Sequence, residues 1–500
     1  MTEVAPVGPR LKIQAKTHRP RLRAVMLAIA VASFVVGAVA RVFAAQNDLW
    51  FDEVWTLELL RERVHSLGDV FMNLKHSNNH HLCSLWMWVV GQNASGLMYR
   101  LPSVLASIGT VVLAGIIGMR RSWLEGCIAV TLTSSSYLLI HFGTEARGYS
   151  LAIFFTLLAW YALQQFEDRR SWTWTIVFWT AVPLGFLAHL EFAVCFAGLC
   201  VWSLWRGART RSKWRQGVLD LFALFAMPVV LLLVFYFVSI RGMEVSGGPT
   251  YQLWPLLIKT ASYTLGGPGS GSAAGIVSLV AVVAVCAVLV YLIRDRDDRW
   301  IFYAVVIVLP LALIAIKRPE QLYVRYFIIS VATSLLLLAS AWATIMRREL
   351  AGLVTGLVLL AIFLTGNAVN TVNLLRFGRG QYLAALLFME THSNDKKVLI
   401  TSSADLGNGM LVNYYKSYLE RPEDLQYVDQ ATLKEDYART NGFSLGAEWL
   451  ILHRFDLTKR PARVTDEYGN GYQLVSIYRY SDLSGSHWLL YHNLNRSPLQ

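Results

Sequence analysis

The apolar run from Ala24 to Ala45 passes directly into Asn47-Asp48-Leu49-Trp50-Phe51-Asp52-Glu53-Val54-Trp55. The run is long enough to cross a bilayer, which takes roughly 20 apolar residues. The stretch after it sets two adjacent carboxylates, Asp52 and Glu53, among aromatic side chains just outside that bilayer. Two readings are open on these residues alone. In one, Trp50, Phe51 and Trp55 anchor an interfacial turn, and the acids are solvated in the first turn of a short helix. In the other, the acids are working groups held over a membrane-borne substrate. The rest of the chain has to decide between them.

Composition points to the membrane. The chain has 500 residues, 55% of them hydrophobic and only 16% charged, and its mean hydropathy is +0.42. Apolar runs of spanning length recur along it, which marks a polytopic α-helical membrane protein. The net charge of +12 raises nucleic acid as a partner. The placement of the basic residues argues against that, because most sit in short loops between spans. The five cysteines, Cys83, Cys127, Cys195, Cys200 and Cys286, show neither a CxxC pair nor a disulfide framework and read as small core hydrophobes. The basic tail 1–23 followed by so long an apolar run reads as an uncleaved signal anchor.

Spans are expected near 24–45, 101–119, 123–140, 148–166, 172–190, 192–206, 217–240, 273–293, 300–316, 324–346 and 350–368, about eleven in all. With the N-terminus inside, the inner loops carry Arg120-Arg121, Arg169-Arg170, Arg206 to Arg215, Arg294 to Arg299 and Arg347-Arg348. Every one is basic, as the positive-inside rule requires. Asp52, Glu53 and the hydrophilic C-terminal part then lie outside. The module 24–369 includes a long outer loop, 46–100, with helices expected over Val54 to Val64 and Ser66 to His76 and an interfacial apolar segment over Leu82 to Val90. A second outer loop, Arg241 to Ser272, is dense in glycine and proline and reads as a mobile flap. From 370 to 500, strands at Lys397 to Ser402, Leu425 to Val428, Trp449 to His453, Tyr472 to Tyr480 and Trp488 to His492 alternate with helices at Gly409 to Leu419 and Ala431 to Thr440. That pattern predicts an extracytoplasmic α/β domain.

An outer-face enzyme has no cytosolic nucleotide within reach, so its activated donor arrives as a lipid. Such chemistry needs a carboxylate to take a proton from an acceptor, cations to hold a leaving phosphate, and an apolar groove. Asp52 and Glu53 are the candidate bases, since paired carboxylates repel and separate their roles. Asp69, Asn73, His76 and His80 are spaced to share one helical face, which would make a solvated polar face or, with Asp52, a metal site. Glu145, Arg147 and Tyr149 stand at the outer junction of two spans, where they form an internal ion pair or line a polar cavity. His189 and Glu191 occupy a tight outer turn. Lys317, Arg318, Arg325 and Tyr326 flank two spans on the outer side, and cations there, against the inside bias, suggest a phosphate partner. Arg241, Arg376 and Arg379 are further outer cations.

In order, these motifs resemble the GT-C superfamily of membrane glycosyltransferases, and within it glycosyltransferase family 39, including its rhizobial galacturonosyltransferase-like group. Phe51-Asp52-Glu53 is similar to the family's Asp-Glu motif after the first span. Asn79-His80-His81-Leu82 resembles its His-Pro-Pro-Leu, without the prolines. Arg100-Leu101-Pro102 resembles its Arg-Leu-Pro, Glu145-Ala146-Arg147-Gly148-Tyr149-Ser150-Leu151 its Glu-Ala-Arg-x-Tyr-x-Leu, and Arg325-Tyr326-Phe327 its late Arg-Tyr. The likeness covers roughly residues 24 to 350. It implies a GT-C-like fold and an inverting transfer from a polyprenyl-phosphate sugar to a glycan, lipid or protein acceptor at the outer face of the cytoplasmic membrane. Asp52 would be the base with Glu53 supporting it. His80, Glu145, Arg147, Tyr149, His189, Lys317, Arg318, Arg325 and Tyr326 would bind substrate. No cofactor is required, and a divalent metal is not favoured.

Two rival functions remain at this level. A flippase for lipid-linked sugars would place charges at the bilayer midplane and break helices in paired halves, and neither is clear here. A metal-dependent headgroup hydrolase or phosphotransferase would use His76, His80 and His81.

Overall fold

The computed structural model describes residues 19–210, 214–244, 252–319, 321–393, 397–439 and 446–496. Most of the basic tail, Arg211, Lys213 and the Ser246 to Pro249 part of the expected flap lie outside these.

Apolar runs become helices where expected. The first is α1 (Arg19–Ala44), followed by the short helices α2 (Phe51–Arg63), α3 (Asp69–Met72) and α4 (His81–Val90) of the 46–100 segment. The bundle continues through α5 (Gly96–Met119), α6 (Trp123–Ser135), α7 (Tyr137–Phe142), α8 (Tyr149–Arg169), α9 (Trp172–Ala188), α10 (Phe192–Thr210) and α11 (Trp214–Phe235). After α12 (Leu253–Thr264) come α13 (Gly271–Arg294), α14 (Arg299–Lys317), α15 (Ile328–Met346) and α16 (Leu350–Phe377). Among the described residues, 7 helical stretches are long and apolar enough to cross a membrane: Pro20–Ala44, Gly96–Met119, Leu221–Ile240, Gly271–Arg294, Arg299–Lys317, Val324–Met346 and Leu350–His392. The other expected spans, in the stretch from α6 to α10, are helices that fall short of that length or apolarity.

The expected span 123–140 is two helices, and the reason is electrostatic. Arg41 is fully buried at membrane depth, where its N–H groups need acceptors. Its Nη1 donates to Ser134 O at 2.8 Å, its Nη2 to Thr133 O at 3.1 Å and its Nε to Ser107 Oγ at 2.7 Å. The last carbonyls of α6 thus go to a guanidinium instead of a further helical turn. The chain restarts at Ser136, whose backbone leaves the helical region.

The expected helix from Ser66 to His76 is one turn, α3. Asp69, the first residue of that turn, accepts from the backbone N–H of His65 and Ser66 before it at 2.9 and 2.7 Å, and His76 pairs as an isolated bridge with Glu244. The shared helical face of Asp69, Asn73, His76 and His80 therefore does not form. The described part of the expected flap is also ordered differently: α12 occupies Leu253–Thr264, and Asn370 Nδ2 donates to Gly267 O at 3.0 Å.

Four of the basic loops meet at one end of the bundle. There Arg121 and Arg299 pair with Asp297 at 3.4 and 2.7 Å, Arg206 with Asp298 at 3.4 Å, and Arg120 with Asp168.

The chain beyond α16 turns at Gly378 and enters α17 (Tyr382–His392), so the α/β fold starts some residues after 370. Strands β1 (Val398–Ser402), β2 (Leu425–Tyr427), β3 (Trp449–Arg454), β4 (Arg463–Thr465), β5 (Gly471–Tyr478) and β6 (His487–Asn493) form one sheet in the order β2-β1-β3-β6-β5-β4. The first three strands are parallel and the rest antiparallel. Helices α18 (Asp405–Tyr415) and α19 (Gln430–Arg439) connect the parallel strands. One apolar core joins this sheet to the 46–100 segment: Val54, Leu57 and Leu60 of α2 pack with Leu386, Leu411, Ile400 and Trp488.

Between β5 and β6 a hairpin finger reaches into the helical module. Tyr137 Oη donates to Ser481 O at 3.0 Å, Lys259 Nζ to Asp482 Oδ1 at 2.8 Å and Ser484 Oγ to Glu145 Oε1 at 2.6 Å. Asp482 and Leu483 hold φ of 71° and 73° there, a conformation that L side chains adopt only when their surroundings impose it.

Candidate active site

The site is built on the N-terminus of α2. Glu53 is fully buried and completely bonded. Its Oε1 accepts from Arg100 Nε at 2.8 Å and Ala146 N at 2.6 Å, and its Oε2 from Arg100 Nη2 at 2.5 Å and Trp50 N at 3.1 Å. Arg100 spends its remaining N–H groups on the carbonyls of Ala45, Asn47 and Asp48. Three motifs far apart in sequence, Asp52-Glu53, Arg100 and Glu145-Ala146-Arg147, are thereby locked together. Glu53, expected to support Asp52, has both carboxylate oxygens taken up by these four hydrogen bonds.

Asp52, one residue earlier, turns the other way, into a cavity of about 580 Å³. Its Oδ2 lies 3.1 Å from Arg325 Nη1 and 3.3 Å from Arg147 Nη1. Its side chain is 14% exposed, and Oδ1 has no protein partner among the described residues. The two guanidiniums flank the Trp50 ring, 5.9 and 5.6 Å from its centroid, and Arg325 also sits 4.1 Å over Tyr323. Asn78 fixes the arrangement: its Nδ2 donates to Asp52 O and Thr56 Oγ1 at 2.8 Å each, and its Oδ1 accepts from Arg147.

Behind Arg147 stands an aromatic cluster. His80 and His189 stack at 4.8 Å, and Tyr149 meets them at 5.4 and 4.8 Å. Gly148 makes this possible, since a Cβ there would lie 1.7 Å from Ala188 O. Burial, reinforced by Arg147, holds His80 well below its usual range, so the ring is neutral. Glu191 sits behind His189 and burial pushes its carboxyl well up. Phe186, Leu187, Leu190, Ile240 and Met243 give the cavity an apolar flank.

The structure thus brings Asp52, His80, Arg147, Tyr149, His189, Arg325 and Tyr326 to one cavity. It leaves out four expected site residues, Glu53, Glu145, Lys317 and Arg318. Glu145 is buried behind the wall, bound by Arg379 at 3.2 Å, His141 at 3.3 Å and Ser484. Burial pushes its carboxyl up, but His141, Arg379 and Ser484 more than offset this and hold it well below the usual range. Lys317 and Arg318 are exposed and do not line the cavity. Sequence reasoning missed Asn78 and the sharing of Trp50 by two arginines. The α/β domain supplies another part of the wall, which includes Asn408, His453 and Phe455. No spacing signal marks those residues.

The architecture carrying this cavity is that of a polytopic helical membrane protein with an α/β domain set on the helical module. No protein-family profile and no curated protein sequence matches the chain. Among solved structures it is similar to ArnT from Cupriavidus metallidurans in the apo state, at 12% identity and a TM-score of 0.48 over 92% of this chain and 97% of that one. It is similar to the same protein bound to undecaprenyl phosphate, at 12% identity and a TM-score of 0.47 over 96% and 100% of the two chains. A third is the arabinofuranosyltransferase AftD from mycobacteria, at 14% identity and a TM-score of 0.44 over 97% of this chain and 40% of that one.

Proposed function

We propose that the chain is an inverting glycosyltransferase that moves a sugar from a polyprenyl-phosphate donor to an acceptor hydroxyl. The observation that carries this reading is the shared oxygen of Asp52. One carboxylate holds two arginines, Arg147 and Arg325, in a cavity with an apolar flank. Guanidiniums so placed match the oxygens of a phosphate, and the flank suits a lipid tail. A donor phosphate would draw the guanidinium N–H groups to itself and leave Asp52 to the acceptor.

In the reaction, an Asp52 oxygen takes the proton of the acceptor hydroxyl as that oxygen attacks the anomeric carbon. The bond from that carbon to the phosphate oxygen breaks. Its electron pair stays on the phosphate, where Arg147 and Arg325 stabilise the growing charge. Attack opposite the leaving phosphate inverts the anomeric centre. The basic loops gathered at one end of the bundle favour an extracytoplasmic site at the cytoplasmic membrane, by the positive-inside rule.

The test is transfer from labelled undecaprenyl-phosphate sugars in membranes. Asp52→Asn is expected to lower transfer by about 10²- to 10⁴-fold, the usual worth of a general base. Added chelator is expected to leave the rate unchanged. Full activity in Asp52→Asn removes Asp52 as the base, and loss with chelator brings back a metal-dependent mechanism.

A further inference from the structure

The cavity has two unlike walls. Its charged side chains, Asp52, Arg147 and Arg325, belong to the helical module. The α/β domain contributes a wall without a charged side chain, centred on Leu406, Asn408, His453 and Phe455.

Hydrogen bonding fixes the state of this second wall. Trp488 Nε1 donates to Asn408 Oδ1 at 2.9 Å, and Asn408 Nδ2 donates to Ser402 Oγ at 2.5 Å. An indole N–H can only donate, so the amide orientation is settled. His453 Nδ1 lies 3.3 Å from the same Asn408 Oδ1. That oxygen only accepts, so Nδ1 carries the imidazole proton. Burial lowers His453 to about 4, so the ring is neutral near pH 7 and Nε2 holds a lone pair. Nε2 has no partner among the described residues. The Phe455 ring stands against the imidazole at 4.9 Å and 81°, with 43% of the residue exposed.

We propose that this wall is the acceptor subsite and that it takes the neutral ring of a sugar. His453 Nε2 accepts a hydrogen bond from a sugar hydroxyl, and Phe455 packs on the ring's C–H face. A neutral acceptor lone pair beside an exposed aromatic ring matches a ligand made of hydroxyl donors and apolar C–H groups. A charged acceptor would find no counter-charge on this wall. The assignment rests on the glycosyltransferase reading and narrows its acceptor to carbohydrate.

The test uses the full-length protein in nanodiscs, native and with His453→Phe or His453→Gln. Undecaprenyl phosphate is titrated by calorimetry, and a panel of neutral methyl glycosides by saturation-transfer NMR. The native protein is expected to bind at least one glycoside. His453→Phe keeps a ring but no lone pair and weakens that glycoside about tenfold, the size of one lost hydrogen bond, while His453→Gln restores part of it through its amide oxygen. Undecaprenyl phosphate affinity stays within about twofold in both variants, which reports that the fold and the charged wall are intact. The proposal is overturned if glycoside affinity is unchanged in both variants, or if the lipid phosphate weakens along with the glycoside in both. It is equally overturned if the lipid phosphate binds and no glycoside does, and in that case the glycosyltransferase reading stands. Glycoside binding that depends on His453 in a protein that ignores undecaprenyl phosphate would instead keep this subsite and remove the lipid donor.

Discussion

Adjacent carboxylates in one motif have opposite fates here, and the difference is testable by substitution. Glu53 is consumed by four hydrogen bonds and a fully buried pairing with Arg100. Removing one partner of such a pair leaves a buried charge uncompensated. Arg100→Met and Glu53→Gln are therefore each expected to lose about 3–5 kcal/mol of stability, seen as a lower Tm or a lower denaturant midpoint. Asp52→Asn should leave Tm nearly unchanged while transfer collapses, because Asp52 is partly open to the cavity and meets its arginines through one oxygen. An equal loss of Tm in both would mean that Asp52 too is structural. The Glu-Ala-Arg motif splits in the same way: Arg147 faces the cavity, and Glu145 faces Arg379 and the finger. Sequence could rank these residues as important but could not sort them, since neighbours on a helix end differ by about 100° in direction.

At the scale of elements, the finger between β5 and β6 decides whether the α/β domain completes the site. Gly485 sits at φ 97°, and a Cβ there would lie 1.5 Å from Arg379 O. No side-chain rotamer relieves a clash with backbone. Gly485→Ala is therefore expected to undock the finger, exposing 479–486 to proteolysis and lowering transfer, with the bundle still folded by circular dichroism. Unchanged protease resistance and activity would show that the finger is not needed. Its insertion has no sequence signature, because Asp482, Leu483 and Ser484 form no motif that sets them apart from a link between two strands. The alternating strands and helices around it were legible, apart from the short edge strand β4 with its pattern of exposed residues.

Across the whole molecule, several histidines are held neutral by burial. His453 and His487 are lowered to about 4, and His80 is lowered well below the ordinary value of 6.5. The unfolded chain takes up protons at these groups below about pH 6.5, and the folded chain takes them up at His453 and His487 only near pH 4. Stability from this source is complete above pH 6.5 and falls as pH drops through that window. A thermal series from pH 7.5 to pH 5 should show Tm decreasing with proton uptake on unfolding. A flat or rising Tm over that range would contradict the buried neutral state.

The sequence by itself determined that this chain is a bundle of apolar helices with a separate α/β region, and it singled out Asp52 as a candidate site residue. Hydropathy, charge placement and strand alternation are local properties, and the backbone must satisfy them wherever the chain goes. Only tertiary structure decided that Arg41 splits a helix, that Arg100 pairs with Glu53 in a buried contact, and that Arg147 and Arg325 meet on one oxygen of Asp52. It also decided that His453 faces the same cavity from a strand hundreds of residues downstream. Those outcomes depend on which groups a buried charge finds when the chain closes on itself, and no spacing along the sequence encodes that.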